Sequence, residues 1–118
     1  MKRVLVVDDA AFMRISIKNI LTKHGYEICG EAENGEVAVQ RFQELNPDIV
    51  TMDITMPGMN GLVSLKQILA VQPHANVVMV SAMGQETMVR EAIIAGAKGF
   101  IVKPFKEEVI LGALNSIK

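Results

Sequence analysis

Apolar residues along this chain follow two rhythms. Four short runs, Val4 to Val7, Ile49 to Met52, Val77 to Val80 and Phe100 to Val102, are continuous and too brief for helices, which predicts strands covered on both faces. Tyr26 to Ala32 is weaker and more polar, the pattern of a strand toward the edge of a sheet. Between the runs the spacing becomes helical. Ala11 to Lys23 carries Phe12, Ile15 and Ile20 at that spacing and meets Gly25 as a stop. Glu36 to Glu44 follows an Asn34-Gly35 turn, Leu62 to Val71 is halted by Pro73, Gln85 to Ala95 is closed by Gly96, and Lys106 to Ile117 completes the series. Asn46-Pro47-Asp48 predicts extended backbone entering the third strand, and Pro57 to Gly61 a loop leaving it.

Strict strand–helix alternation with short connections predicts an α/β, flavodoxin-like (βα)5 three-layer sandwich, because right-handed crossovers put a parallel sheet between two helical layers. Five strands fit the order 2-1-3-4-5 better than a six-stranded dinucleotide fold. In that order the first and third strands are neighbours, and ligands bind in the crevice outside their carboxyl ends. The residues that end the runs therefore matter. The first run leads to Asp8-Asp9, the third strand to Asp53, the fourth to Ser81 and the fifth to Lys103.

The length of 118 residues suits one domain, residues 1–118, burying roughly two thirds of the surface of the unfolded chain. Twelve Lys and Arg against thirteen Asp and Glu give a net charge of −1, which provides no electrostatic footprint for nucleic acid or an anionic membrane. No apolar run approaches the ~20 residues of a membrane span, and Met1-Lys2-Arg3 is not followed by a signal-peptide core, so a cytoplasmic location is expected. Cys29 has no second cysteine to pair with and, beside Ile28, reads as a buried thiol. The eight methionines fall mostly inside periodic segments and read as packing.

Three carboxylates in one crevice repel one another unless their pKa values rise or a cation joins them. An all-oxygen donor set favours Mg²⁺, which keeps several waters and takes one or two protein carboxylates with phosphate oxygens. Asp9 and Asp53 lead as ligands, with Asp8 acting directly or through water. Asp53, alone at the end of a buried strand, is also the candidate nucleophile toward phosphorus. Lys103 would balance phosphate charge from the side opposite the metal, and the Ser81 hydroxyl would donate to a phosphoryl oxygen. Each residue alone has a plainer reading: Asp8-Asp9 as a helix cap, Asp53 as a loop carboxylate, Ser81 as a cap ahead of Gly84, Lys103 as a solvated lysine, Phe100 as core. Convergence of four strand ends on one reaction's residue types favours the chemical reading.

The stretches Val6-Val7-Asp8-Asp9, Asp53-Ile54-Thr55-Met56-Pro57-Gly58-Met59-Asn60-Gly61, Ser81-Ala82, and Ala95-Gly96-Ala97 through Phe100-Ile101-Val102-Lys103-Pro104-Phe105 are specific when taken together. Over essentially its whole length the chain resembles the receiver domain of two-component response regulators. The resemblance implies that Asp53 is the phosphoacceptor and that Asp8, Asp9 and Asp53, with the backbone carbonyl of Thr55, hold Mg²⁺. It places the Thr55 side chain where hydrolysis rate is tuned, Ser81 at the switch hydroxyl, Lys103 at the invariant-type lysine, and Phe100 at the aromatic whose rotamer follows phosphorylation. It also implies a cis Lys103-Pro104 peptide. Phe100 stands where some relatives have tyrosine, which keeps the rotation and removes a hydroxyl contact.

Asp8 to Arg14 and Ser81 to Gln85 look most like stand-alone chemotaxis regulators without an output domain. That implies a monomer, a CheA-like sensor histidine kinase as phosphodonor, and a flagellar motor switch protein or chemotaxis adaptor as output, with a phosphatase as a further partner. The expected output surface is the fourth helix, fifth strand and fifth helix, near Arg90, Lys98, Phe100 and Lys106. A phosphorelay intermediate, or a receiver cut from a larger regulator, is the alternative within the family. An aspartyl-nucleophile phosphatase is less well matched, because Thr55 stands where such enzymes place a second acid. A flavin-binding protein is disfavoured by the acidic Asp8-Asp9-Ala10-Ala11 loop.

Overall fold

The computed structural model describes residues 1–117; Lys118, the last residue of the expected domain, lies outside the described residues. In chain order the elements are β1 (Arg3–Val7), α1 (Ala11–Lys23), β2 (Glu27–Ala32), α2 (Gly35–Leu45), β3 (Ile49–Asp53), α3 (Gly61–Val71), β4 (Val77–Ser81), α4 (Glu86–Ala95), β5 (Gly99–Val102) and α5 (Glu107–Asn115). The strands form one parallel sheet in the order β2-β1-β3-β4-β5, the flavodoxin-like arrangement expected.

Alternation along the strands sorts the core into two layers. Leu5, Val7, Val50, Met52, Val77 and Met79 pack with Phe42 of α2, Leu65 and Ile68 of α3, and Val89 and Ala92 of α4. Val4, Val6, Ile49, Val78, Val80 and Ile101 point the other way, onto Ile17 and Leu21 of α1 and Ile110 and Leu114 of α5. Both faces of the central strands are thus dry, which is why their runs are continuously apolar. Asn34 and Asn60 cap α2 and α3, accepting from the backbone N–H of Val37 at 2.8 Å and of Val63 at 3.0 Å.

Four expectations need correction. Phe12 and Ile15 share helical spacing but not the docked face of α1: they are 81 % and 52 % exposed, because the arc running through Ile17 and Leu21, with Met13 and Ile20 beside it, lies on the sheet. Cys29 is only half-buried; it is the extra residue where the β1–β2 register shifts between Val4 and Leu5, and its thiol lies 3.5 Å from the Val4 carbonyl. Asn46 is left-handed (φ 47°) instead of extended, closing α2 through its N–H to the Phe42 carbonyl before Pro47. Phe100 is not core: it is 49 % exposed on the edge strand.

Candidate functional site

The parallel sheet delivers the ends of β1, β3, β4 and β5 to one edge. Asp8 follows β1 directly; its N–H donates to the Ala32 carbonyl of β2 at 3.1 Å, and its fully buried carboxylate accepts from the Ala10 N–H at 2.9 Å. That turn leaves Ala10 as the N-cap of α1 with no side-chain cap, so the acids are not spent on the helix. Asp9 is exposed beside it. Asp53 ends β3 and is 5 % exposed, and its strand continues through the Ile54 N–H bond to the Val80 carbonyl.

One carboxylate oxygen from each of Asp8, Asp9 and Asp53 lies within 4.8 Å of the others. Lys103 reaches in from the end of β5, with Nζ 2.9 Å from Asp8 and 3.4 Å from Asp53. Burial pushes the Asp53 carboxyl up to about 6; the Asp8 carboxylate adds to the rise, and Lys103 opposes it. Burial works against the Lys103 charge, but Asp8 and Asp53 outweigh it and hold the ammonium above its ordinary pKa. An all-oxygen trio of this size is a donor set that suits a small hard cation.

Ser81 ends β4, buried, with its hydroxyl directed to the Ile101 carbonyl of β5 at 3.4 Å. Thr55 is exposed, two residues past Asp53. The Lys103-Pro104 peptide is cis, as the resemblance implied. Gly61 opens α3 under the site: its N–H donates to the Ile54 carbonyl at 2.7 Å, and a Cβ there would lie 2.0 Å from the Asp53 carbonyl oxygen. Phe100 and Val102 border an open, mainly apolar groove of about 590 Å³ that runs along α4 past Arg90, Ile93 and Ile94.

Sequence reasoning missed two residues here. Arg14 donates through Nη1 to the Asp8 carbonyl at 2.6 Å and through Nε to Glu31 at 3.0 Å, and Lys18 holds Glu31 at 2.7 Å. Lys18, partly countered by burial and then joined by Arg14, holds the Glu31 carboxyl below its usual range. Gln85 accepts from the Ala82 N–H at 2.7 Å and donates to the Thr55 hydroxyl. The only local hint was that both are polar residues within or beside helices whose partners lie on another segment.

The receiver-domain model for response regulators matches residues 4–115. The chain belongs to the response regulator receiver family. This receiver is 60 % identical over 116 residues to the chemotaxis protein CheY of Thermotoga maritima, covering 98 % of this chain and 97 % of that protein. It is 57 % identical over 113 residues to CheY of Bacillus subtilis, covering 96 % and 94 %. Among solved structures it is similar to one described as a CheX-CheY-BeF3-Mg complex from Borrelia burgdorferi, with a TM-score of 0.94, 41 % identity, and coverage of 98 % of this chain and 88 % of that one. The receiver is thus of the CheY type, a phosphorylation-dependent signalling switch of chemotaxis and not a classical enzyme.

Proposed function

We propose that residues 1–118 form a single-domain switch that accepts a phosphoryl group on Asp53 from a chemotaxis sensor histidine kinase. The observation that carries this reading is the Asp53 carboxylate, almost wholly buried, with an ammonium at 3.4 Å and two further carboxylates around it. An Asp53 oxygen attacks phosphorus, the bond from phosphorus to the donor imidazole nitrogen breaks, and the imidazole leaves with the electron pair and takes up a proton. Lys103 balances charge on the incoming group and stays protonated at neutral pH because both acids favour its charged form.

Asp8, Asp9 and Asp53, with the Thr55 carbonyl, would hold Mg²⁺. When bound, the ion supplies positive charge that lets the carboxylates and the phosphate share the crevice. Ser81 leaves the Ile101 carbonyl, a long contact at 3.4 Å, to donate to a phosphoryl oxygen. That movement shifts the β4–α4 loop and the groove beside Phe100, where a flagellar motor switch protein or chemotaxis adaptor docks. A phosphatase is a second class of partner, and the CheX-CheY complex supports the docking of a further protein on a receiver of this type. No described helix is long and apolar enough to cross a membrane.

Incubation with acetyl phosphate followed by intact-mass measurement tests the reading. A single phosphate adduct that requires Mg²⁺ and disappears in Asp53→Asn is expected. No adduct, or one that survives the substitution, removes the mechanism.

A further inference from the structure

The geometry points to Gln85 as a positioning residue that clasps the loops after β3 and β4 together and thereby sets how long a phosphoryl group survives on Asp53; this rests on Asp53 being the phosphoacceptor. Gln85 occupies the N-cap of α4, where Ser, Thr, Asp or Asn would satisfy the free N–H groups of the first turn, yet its side chain makes no cap bond. Gly84, at φ +88°, turns the backbone so that the side chain reaches back toward the sheet edge. There its oxygen accepts from the Ala82 N–H at 2.7 Å, one residue past Ser81, and its nitrogen donates to the Thr55 hydroxyl, two residues past Asp53.

One amide therefore bridges the two strand ends that carry the phosphoacceptor and the switch hydroxyl. Both of its hydrogen-bonding edges are used, so one side chain ties the two loops to each other. The bridge lies at the exposed rim of a site whose floor is buried, and water must pass that rim to reach phosphorus. While the clasp is closed, the Thr55 hydroxyl is held in place as the acceptor of the Gln85 amide and the opening between the loops is held narrow. Its loss frees the hydroxyl, widens the opening and speeds hydrolysis.

The experiment uses the full chain, acetyl phosphate and Mg²⁺, with adduct decay followed by intact mass after the donor is removed. Gln85→Ala and Gln85→Met are compared; methionine keeps the length of glutamine and loses both hydrogen bonds. Each is expected to shorten the half-life about threefold or more, within the factor that a lost neutral hydrogen bond carries. In a Thr55→Val background, the same two substitutions are expected to change nothing further. In the unphosphorylated protein, exchange of the Ala82 amide should quicken several-fold in both variants, a readout independent of phosphorylation.

Wild-type lifetimes in both variants, or an unaltered effect in the Thr55→Val background, would overturn the clasp while leaving the phosphoacceptor intact. A normal lifetime in Gln85→Met alone would assign the effect to bulk and overturn the hydrogen-bonded bridge. A wild-type chain that takes up no phosphate would overturn the underlying reading itself.

Discussion

At the scale of single residues, the site is a conflict of charge held in place by the fold. With no cation bound, Asp53 titrates near 6, well above its value in an unfolded chain, because burial and Asp8 disfavour the carboxylate. A native pKa raised in this way stabilises the fold below the unfolded value near pH 4, and that contribution is lost as pH rises through about 6. The metal-free protein should therefore lose on the order of 1–3 kcal/mol from this group between pH 4 and 7, at ~1.4 kcal/mol per unit. Asp53→Asn removes the loss and should be more stable than wild type by a similar amount at pH 7, with the difference vanishing at pH 4. Chemical denaturation at several pH values checks this, and millimolar Mg²⁺ should narrow the gap at pH 7 by stabilising the wild type alone. Arg14 acts one step further out. Its guanidinium fixes the Asp8 carbonyl, and the Glu31–Lys18 pair fixes the guanidinium. Arg14→Ala should weaken Mg²⁺ binding about tenfold, the usual cost of losing an outer partner of a ligand, measured by titration calorimetry. Asp8, Asp9, Asp53, Ser81 and Lys103 were legible because each ends an apolar run. Arg14 and Gln85 were not, because their partners on other segments meet only after folding.

At the scale of elements, what could be read depended on whether a segment had one environment or two. Central strands bury both faces, so their runs were unambiguous to within a residue. Helix α1 has one docked arc and one free one, and the apolar residues Phe12 and Ile15 on the free arc made a pattern with two solutions. The core reading of Phe100 failed in the same sense: β5 is an edge strand, and an aromatic there can face a groove without entering the core. The β3–α3 connection is tighter than its Gly/Pro-rich sequence revealed. A Cβ on Gly61 would meet the Asp53 carbonyl oxygen and the Ile54 backbone, neither of which can yield without moving Asp53. Gly61→Ala should destabilise the protein by about 1–3 kcal/mol, as overpacking does. It should also slow adduct formation with acetyl phosphate by roughly a hundredfold, since a displacement near 1 Å costs that much in oriented chemistry. Within β3 itself, the Thr51 hydroxyl is fully buried without a hydrogen-bond partner, between Val6 and Val78. Thr51→Val fills the same shape without the stranded hydroxyl and should raise the urea midpoint, by about 1 kcal/mol of stability at unchanged slope.

For the whole molecule the question is how a group at one sheet edge alters a groove bordered by Phe100. The link is short and physical: Ser81 and Ala82 both line that groove, and Ser81 also ends β4 beside Asp53. A single charge-assisted hydrogen bond from Ser81 supplies roughly 1.5–3 kcal/mol, whereas carrying a population from 1:99 to 99:1 takes about 5.5. In the proposed mechanism Ser81 alone therefore cannot drive a complete switch, and Lys103, which would redistribute its bonds from Asp8 and Asp53 toward phosphate, has to contribute. The consequence is measurable by hydrogen exchange with and without beryllofluoride and Mg²⁺, the combination named in the Borrelia complex. Changes in protection should concentrate in residues 81–90 and 99–103, while α2, which packs mainly on β1, β2 and α3, stays unchanged. Ser81→Ala should reduce the response in residues 81–90 without abolishing it, and Lys103→Met should reduce it further. Complete loss in Ser81→Ala would mean that one hydroxyl carries the whole coupling, against the energetic argument.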